Sequence, residues 1–240
     1  MSHELWILMG TAVSIGFVHT VLGPDHYVPF VMMARARGWS KIMTSFVTLF
    51  CGLGHILSSV ILGVIGIALG LAVTRLEMLE SFRGNVAAWL LIAFGLVYLV
   101  YGLRRAYRKH RHHHLPLSDI EHNNDQAPEY LIRNPQSKIR NHTNPSRPIT
   151  PWVLFTIFVF GPCEPLIPIL MYPAAKSSFW GLVLVTGVFG ITTLLTMLGV
   201  VLVSYVGISL LPVGRLERFT HAAAGAAILL CGLAIQFLGV

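Results

Sequence analysis

Twelve residues near the start of the chain, HTVLGPDHYVPF (His19 to Phe30), place two imidazoles, a carboxylate and two prolines inside an apolar run. A charged side chain at the centre of a membrane helix costs about 2.5–3.5 kcal/mol on insertion scales, so such a residue faces a cavity or a partner and marks a functional site. His19 and His26 are two helical turns apart, and an unbroken helix would stack them on one face. Gly23-Pro24 interrupts that helix, because proline donates no backbone hydrogen bond and its ring opposes straight continuation. A second stretch, FGPCEPLIP, carries Cys163 and Glu164 between Gly161, Pro162 and Pro165. In the second apolar run Cys51, His55 and Ser58/Ser59 share a helical face, and Thr192, Thr193 and Thr196 fall near the matching positions of the other half. Imidazole, carboxylate and thiolate suit borderline divalent ions such as Ni²⁺, Co²⁺ and Zn²⁺ better than Mg²⁺ or Ca²⁺. The same groups also carry protons.

Bland readings compete at several of these positions. Cys51 and Cys231 fit as small apolar core residues. Thr192, Thr193 and Thr196 can bond back to their own helix. His221, at the start of the last apolar run, can serve packing alone. Asp25 beside His26 at a helix break is a poor core design, and so is Glu164 between two prolines.

The elements that must position these groups are membrane helices. The 240 residues are 55% hydrophobic and 11% charged, with a mean hydropathy of +0.70, whereas soluble domains carry about 25% charged residues. The N-terminus lacks a basic segment, which argues against a cleaved signal peptide. Three cysteines, none in a polar loop, do not form a disulfide framework. Six spans are expected. They are Leu5–Leu22 continuing past the break to Ala34, Lys41–Val73, Val86–Leu103, Trp152–Tyr172 with its own break, Phe179–Leu211 and Phe219–Val240. The second and fifth reach roughly 50 Å, against a hydrocarbon core of about 30 Å, so they must tilt or bend. Glycines 63, 66 and 70, and 187, 190 and 199, permit this or allow close packing. Lys and Arg number 14 in the loops on one side and 3 on the other, which puts the 14 in the cytoplasm and both termini outside.

Two short matches expose a repeat. LESF (Leu79 to Phe82) matches LERF (Leu216 to Phe219), and GPDH (Gly23 to His26) matches GPCE (Gly161 to Glu164), at nearly equal offsets. Asp25 thereby aligns with Cys163, and His26 with Glu164. Three spans per half make the repeats inverted, a transporter plan whose site lies at the midplane where broken helices meet. The expected fold is an all-α polytopic membrane protein of six transmembrane helices, built as two inverted three-helix repeats with broken first and fourth helices. Residues 1–103 form the first repeat and 151–240 the second. Residues 104–150 form a basic, His-rich cytoplasmic loop, expected to be disordered, whose six histidines suit weak metal sequestration.

These residues resemble the nickel/cobalt transporter group and the related UreH-type urease accessory and TauE/SafE-like proteins of the LysE superfamily. His19 with Asp25-His26 is similar to the first permease signature, one residue longer, and Leu53-Gly54-His55 to the second, without its serine. The resemblance implies that His19, Asp25 and His26 ligate metal, with His55 contributing from the second helix. FGPCEPLIP resembles instead the Cys-Pro motif of the CcdA/DsbD thiol-transport family, which shares the six-span inverted plan. That chemistry needs a second cysteine where this chain has Asp25. The expectation is therefore a secondary transporter of Ni²⁺ or Co²⁺ in a prokaryotic cytoplasmic membrane, not an enzyme. Its metal site is His19, Asp25, His26, His55 and Glu164, with Cys51, Cys163, Thr192 and Thr196 secondary. The metal is cargo and no cofactor is bound permanently. Expected partners are membrane lipid, the metal ion, a cytoplasmic metallochaperone or urease/hydrogenase maturation protein, and a second copy of the chain; nucleic acid is not among them. An anion exporter holding sulfite-type substrates at the half-helix N-termini, and a thiol-redox conduit through Cys163, are the alternatives. No Gly-Lys-Ser/Thr nucleotide motif is present.

Overall fold

The computed structural model describes residues 3–108, 149–163, 165–175, 179–210 and 219–238. They form helices α1 (His3–Leu22), α2 (Val28–Arg37), α3 (Lys41–Ala68), α4 (Val73–Arg108), α5 (Ile149–Phe160), α6 (Leu166–Ala175), α7 (Phe179–Ser209) and α8 (Thr220–Leu238). One 3₁₀ turn, Pro24–His26, joins α1 to α2. There is no strand among the described residues. Five helices, α1, α3, α4, α7 and α8, are long and apolar enough to cross a membrane. The chain is a multi-pass membrane protein. The expected loop lies, from residue 109 to 148, outside the described residues.

Local chemistry sets the element ends. Ser40 caps α3, its hydroxyl accepting from the Met43 amide at 3.2 Å. Gly38 ends α2 at φ 64°, a left-handed conformation that glycine adopts without a Cβ penalty. Gly70 does the same after α3, at φ 65°. This turn corrects the sequence reading, which ran the second span on to Val73 and began the third at Val86. Helix α3 stops at Ala68 and α4 starts at Val73, so Glu80, Arg83 and the whole LESF segment are helical. Helix α4 also continues to Arg108, past the expected repeat boundary at 103.

Small residues let backbones touch. A Cβ on Gly102 would overlap the backbone of Ala222, one on Gly95 that of Leu229, and one on Gly225 that of Leu99. As the α4 number falls the α8 number rises, so the two helices run antiparallel in close contact. Without a hydrophobic drive between helices in lipid, such van der Waals contact is what holds them together. Gly16 brings α1 against Phe189 and Thr193 of α7, while Gly54 brings α3 against Phe155 and Val159 of α5. Of the glycines expected to serve packing, Gly63 and Gly66 do, against Leu170 and Leu76; Gly187 and Gly199 face open space.

Gly225→Val should destabilise the detergent-solubilised protein by about 1–3 kcal/mol, the usual cost of overpacking. Gly187→Ala should leave stability unchanged or slightly raised. Thermal unfolding of the two variants beside the parent checks this; equal stability would refute the backbone contact.

Candidate functional site

The two helix breaks face each other. At the first, the chain leaves α1 with the Gly23 amide donating to the His19 carbonyl at 2.9 Å. It then turns through Pro24, with the His26 amide donating to the Gly23 carbonyl at 3.1 Å. Gly23 is needed here, since a Cβ would stand 2.6 Å from His26 Nδ1 and 2.9 Å from Asp25 Oδ1. Pro29 fits the first turn of α2, where no intrahelical donor is required. The second break runs from Gly161 to Pro165 between α5 and α6. Gly161 donates to the carbonyls of Ile157 and Phe158, and the Leu166 amide to the Cys163 carbonyl at 2.9 Å. A Cβ on Gly161 would lie 3.0 Å from His55 Nδ1, so this glycine lets α3 approach the break.

Three imidazoles gather between the breaks. The His19 and His26 rings are 4.8 Å apart and the His26 and His55 rings 5.2 Å, each pair nearly perpendicular. His26 and His55 are buried. His26 Nδ1 donates to Asp25 Oδ1 at 2.9 Å, and His55 Nδ1 donates to the Phe158 carbonyl at 3.3 Å. Those two bonds fix the tautomer at each ring and leave the other nitrogen with a bare lone pair. The Nε2 atoms of His19, His26 and His55 are buried with no hydrogen-bond partner among the described residues. Cys163 is fully buried beside them, and donor atoms of His19, His55 and Cys163 lie within 4.8 Å of one another. The histidines and Asp25 line a cavity of about 790 Å³, together with Pro162 and with Asn85 of α4.

The site has a component that sequence reasoning missed. Glu80, which the sequence reading left between the second and third spans, is fully buried. Its Oε2 accepts from the Cys163 amide at 3.1 Å and from the Ser59 hydroxyl at 3.3 Å. Arg83 pairs with Glu80. Its guanidinium also donates to the Ser58 hydroxyl at 2.6 Å and to the carbonyls of Val159 at 2.7 Å and Gly161 at 3.3 Å. Proline and the break deprive those carbonyls of helical partners, and Arg83 supplies donors in their place. The LESF match and the Glu80–Arg83 spacing of three were the available signals.

Other expected site residues fall elsewhere. Glu164 lies outside the described residues. Thr192 bonds back to the Val188 carbonyl at 2.8 Å, and neither it nor Thr196 lines the cavity. Cys51 and Cys231 sit in an apolar core with Phe30, Met33 and Leu91. His221 hydrogen-bonds the Tyr98 hydroxyl at 2.8 Å, away from the breaks.

Arg83→Ala should cost about 3–5 kcal/mol of stability, because it strands the buried Glu80 carboxylate. Glu80→Gln combined with Arg83→Ala should cost less than Arg83→Ala alone. Denaturant unfolding of the single and double variants measures this, and additive losses would refute the coupling.

Residues 28–234 match the family described as the cytochrome C biogenesis protein transmembrane region. No curated protein and no solved structure matches the chain. The family match overturns the expected placement among nickel/cobalt, UreH-type and TauE/SafE-like proteins of the LysE superfamily, and with it transport of Ni²⁺ or Co²⁺ as the function. The donors at His19, Asp25, His26 and His55 matched a permease signature because imidazole and carboxylate serve several chemistries equally well. The FGPCEPLIP resemblance pointed to the right family.

Proposed function

The chain belongs to the family of the cytochrome C biogenesis protein transmembrane region, and from that premise we propose that it is a membrane conduit for thiol reducing equivalents, acting through Cys163. The observation that carries this reading is the position of Cys163. It sits at a helix break, buried, with its sulfur and nitrogens of His19 and His55 within 4.8 Å of one another. Cys51 and Cys231 lie instead in the apolar core with Phe30, Met33 and Leu91.

The broken pairs α1–α2 and α5–α6 each count as one crossing, which gives six crossings in two inverted halves. Several contacts support this plan. The halves exchange α1 with α5, α3 with α7, and α4 with α8. Helix α1 packs on α7 as α5 packs on α3, and α4 packs antiparallel on α8. Alternating access then follows from rocking one half against the other. The cavity lies toward the start of α4 and the end of α8, the side that the Lys and Arg distribution places outside.

The chemistry balances with one thiol. An imidazole of His19 or His55 takes the Cys163 proton, and the thiolate attacks a partner disulfide from outside. One S–S bond breaks, a mixed disulfide with Cys163 forms, and the departing partner sulfur receives the proton. A dithiol from the inner side then attacks the Cys163 sulfur, releasing the outer partner fully reduced. The second thiol of that donor closes on its own mixed disulfide and regenerates Cys163. The net result is oxidation of one inner dithiol and reduction of one outer disulfide.

The test uses proteoliposomes enclosing a reduced dithiol protein, with a membrane-impermeant chromogenic disulfide outside. The intact chain should release coloured thiol at least tenfold faster than Cys163→Ser, while Cys51→Ala and Cys231→Ala retain most of the rate. Equal rates for the intact chain and Cys163→Ser, or no transfer by the folded intact chain, would overturn the proposal.

A further inference from the structure

We propose that His19, His55 and Cys163 form a binding site for a resident d¹⁰ metal ion, Zn²⁺ or Cu⁺. This is an ion held in the site, not a cargo. Three observations carry it. The donor atoms of these residues lie within 4.8 Å of one another. Zinc–nitrogen and zinc–sulfur bonds of about 2.0–2.3 Å draw tetrahedral donors to within roughly 4 Å, so closing on an ion takes about an ångström of side-chain movement. Second, the rings are prepared as metal ligands. His55 is 2% exposed and spends its Nδ1–H on the Phe158 carbonyl, leaving Nε2 buried and without a hydrogen-bond partner among the described residues. A ligating histidine characteristically donates its other ring N–H to a carbonyl or carboxylate, which fixes the tautomer and raises basicity. His26 repeats the pattern, with Nδ1–H on Asp25 and Nε2 bare. Its ring stands 4.8 Å from His19 and 5.2 Å from His55.

The third observation is the cost of the alternative. A buried polar atom without a partner is unfavourable, and His19 and His55 each bring such a nitrogen here. An ion satisfies them together. Two imidazoles and a thiolate select Zn²⁺ or Cu⁺ over oxygen-seeking cations, and three protein ligands leave one position for His26 or an exogenous donor. While the ion is bound, the Cys163 sulfur is a ligand and not a nucleophile. That last consequence rests on the thiol reading; the site itself does not, so the two experiments fail separately.

The test uses the 240-residue chain with His110, His112, His113, His114, His122 and His142 replaced by alanine, which removes binding by the six loop histidines. The purified protein is stripped with chelator and then titrated with Zn²⁺, and separately with Cu⁺ against a chromogenic Cu⁺ chelator. One ion per chain is expected for at least one of the two metals, with metal–sulfur scattering in X-ray absorption. Cys163→Ser should lose that scattering and bind at least tenfold more weakly, and His55→Gln should also bind at least tenfold more weakly. Helical circular dichroism and monodisperse elution establish that each variant is folded. Binding of neither ion, or identical affinity and sulfur scattering in folded Cys163→Ser, would overturn the site.

Discussion

Interrupting a helix inside hydrocarbon frees backbone groups that water cannot reach, and each must find a partner within the protein. The second break meets this constraint through one side chain from another helix. Arg83, on α4, bonds the carbonyls of Val159 and Gly161, while its partner Glu80 accepts the Cys163 amide. A charge pair thus holds both flanks of the broken segment. The first break solves the same problem locally, by hydrogen bonds among His19, Gly23 and His26 and by the Asp25 carboxylate on the His26 ring. The two halves share a plan but differ in how they satisfy it. That difference places the thiol at one break and the carboxylate–imidazole pair at the other.

The accuracy of the site therefore passes through helix packing. Glu80 and Arg83 can reach the second break only if α4 is fixed in position, and α4 is fixed by backbone contact with α8 along Gly95, Gly102 and Gly225. Gly84, one residue after Arg83, brings α4 against the Pro162 ring itself. On the opposite wall, Gly161 admits His55 to the break, and Gly54 settles α3 against α5 one turn earlier. Small residues bring the helices close. The arginine then ties the loose backbone, and the imidazoles fill the space that remains. A displacement of α4 would release the carbonyls at the second break and shift the Cys163 amide together.

Much of this was legible from residue type. Gly-Pro pairs mark breaks because proline lacks a donor and glycine lacks a Cβ, and both breaks are where the chain places them. Asp25, His26, His19 and His55 stood out because polar groups in apolar runs are costly, and they do converge. Glu80 and Arg83 were not legible in the same way. The apolar pattern resumes at Val86, so the preceding polar turns of α4 read as a loop, and Arg83 was counted as a loop cation. A helix that brings polar turns into the bundle interior hides its start from hydropathy. The function was less legible still. Imidazoles beside a carboxylate fit metal permeation, proton transfer and thiol activation alike. Cys163 adds a thiol to them, more than 100 residues from His19 and His55 in the chain yet adjacent in space. No local spacing encodes that contact.

Within the proposed thiol relay, Asp25 stands where the repeat would place a second thiol, and this has a mechanistic consequence. A paired-cysteine site can close on itself, releasing the first partner as an internal disulfide forms. With Cys163 acting alone, its oxidised form within a thiol relay must be a mixed disulfide. That intermediate would persist until a dithiol arrived from the other side. The cavity between the breaks, about 790 Å³, has the size of a small-ligand pocket. Asp25 and His26 face this same cavity and supply polarity where a second sulfur would have stood. In that relay the site would give up self-resolution and keep one sulfur beside the imidazoles of His19 and His55, an arrangement suited either to moving protons with the thiol or to holding the thiol as a ligand.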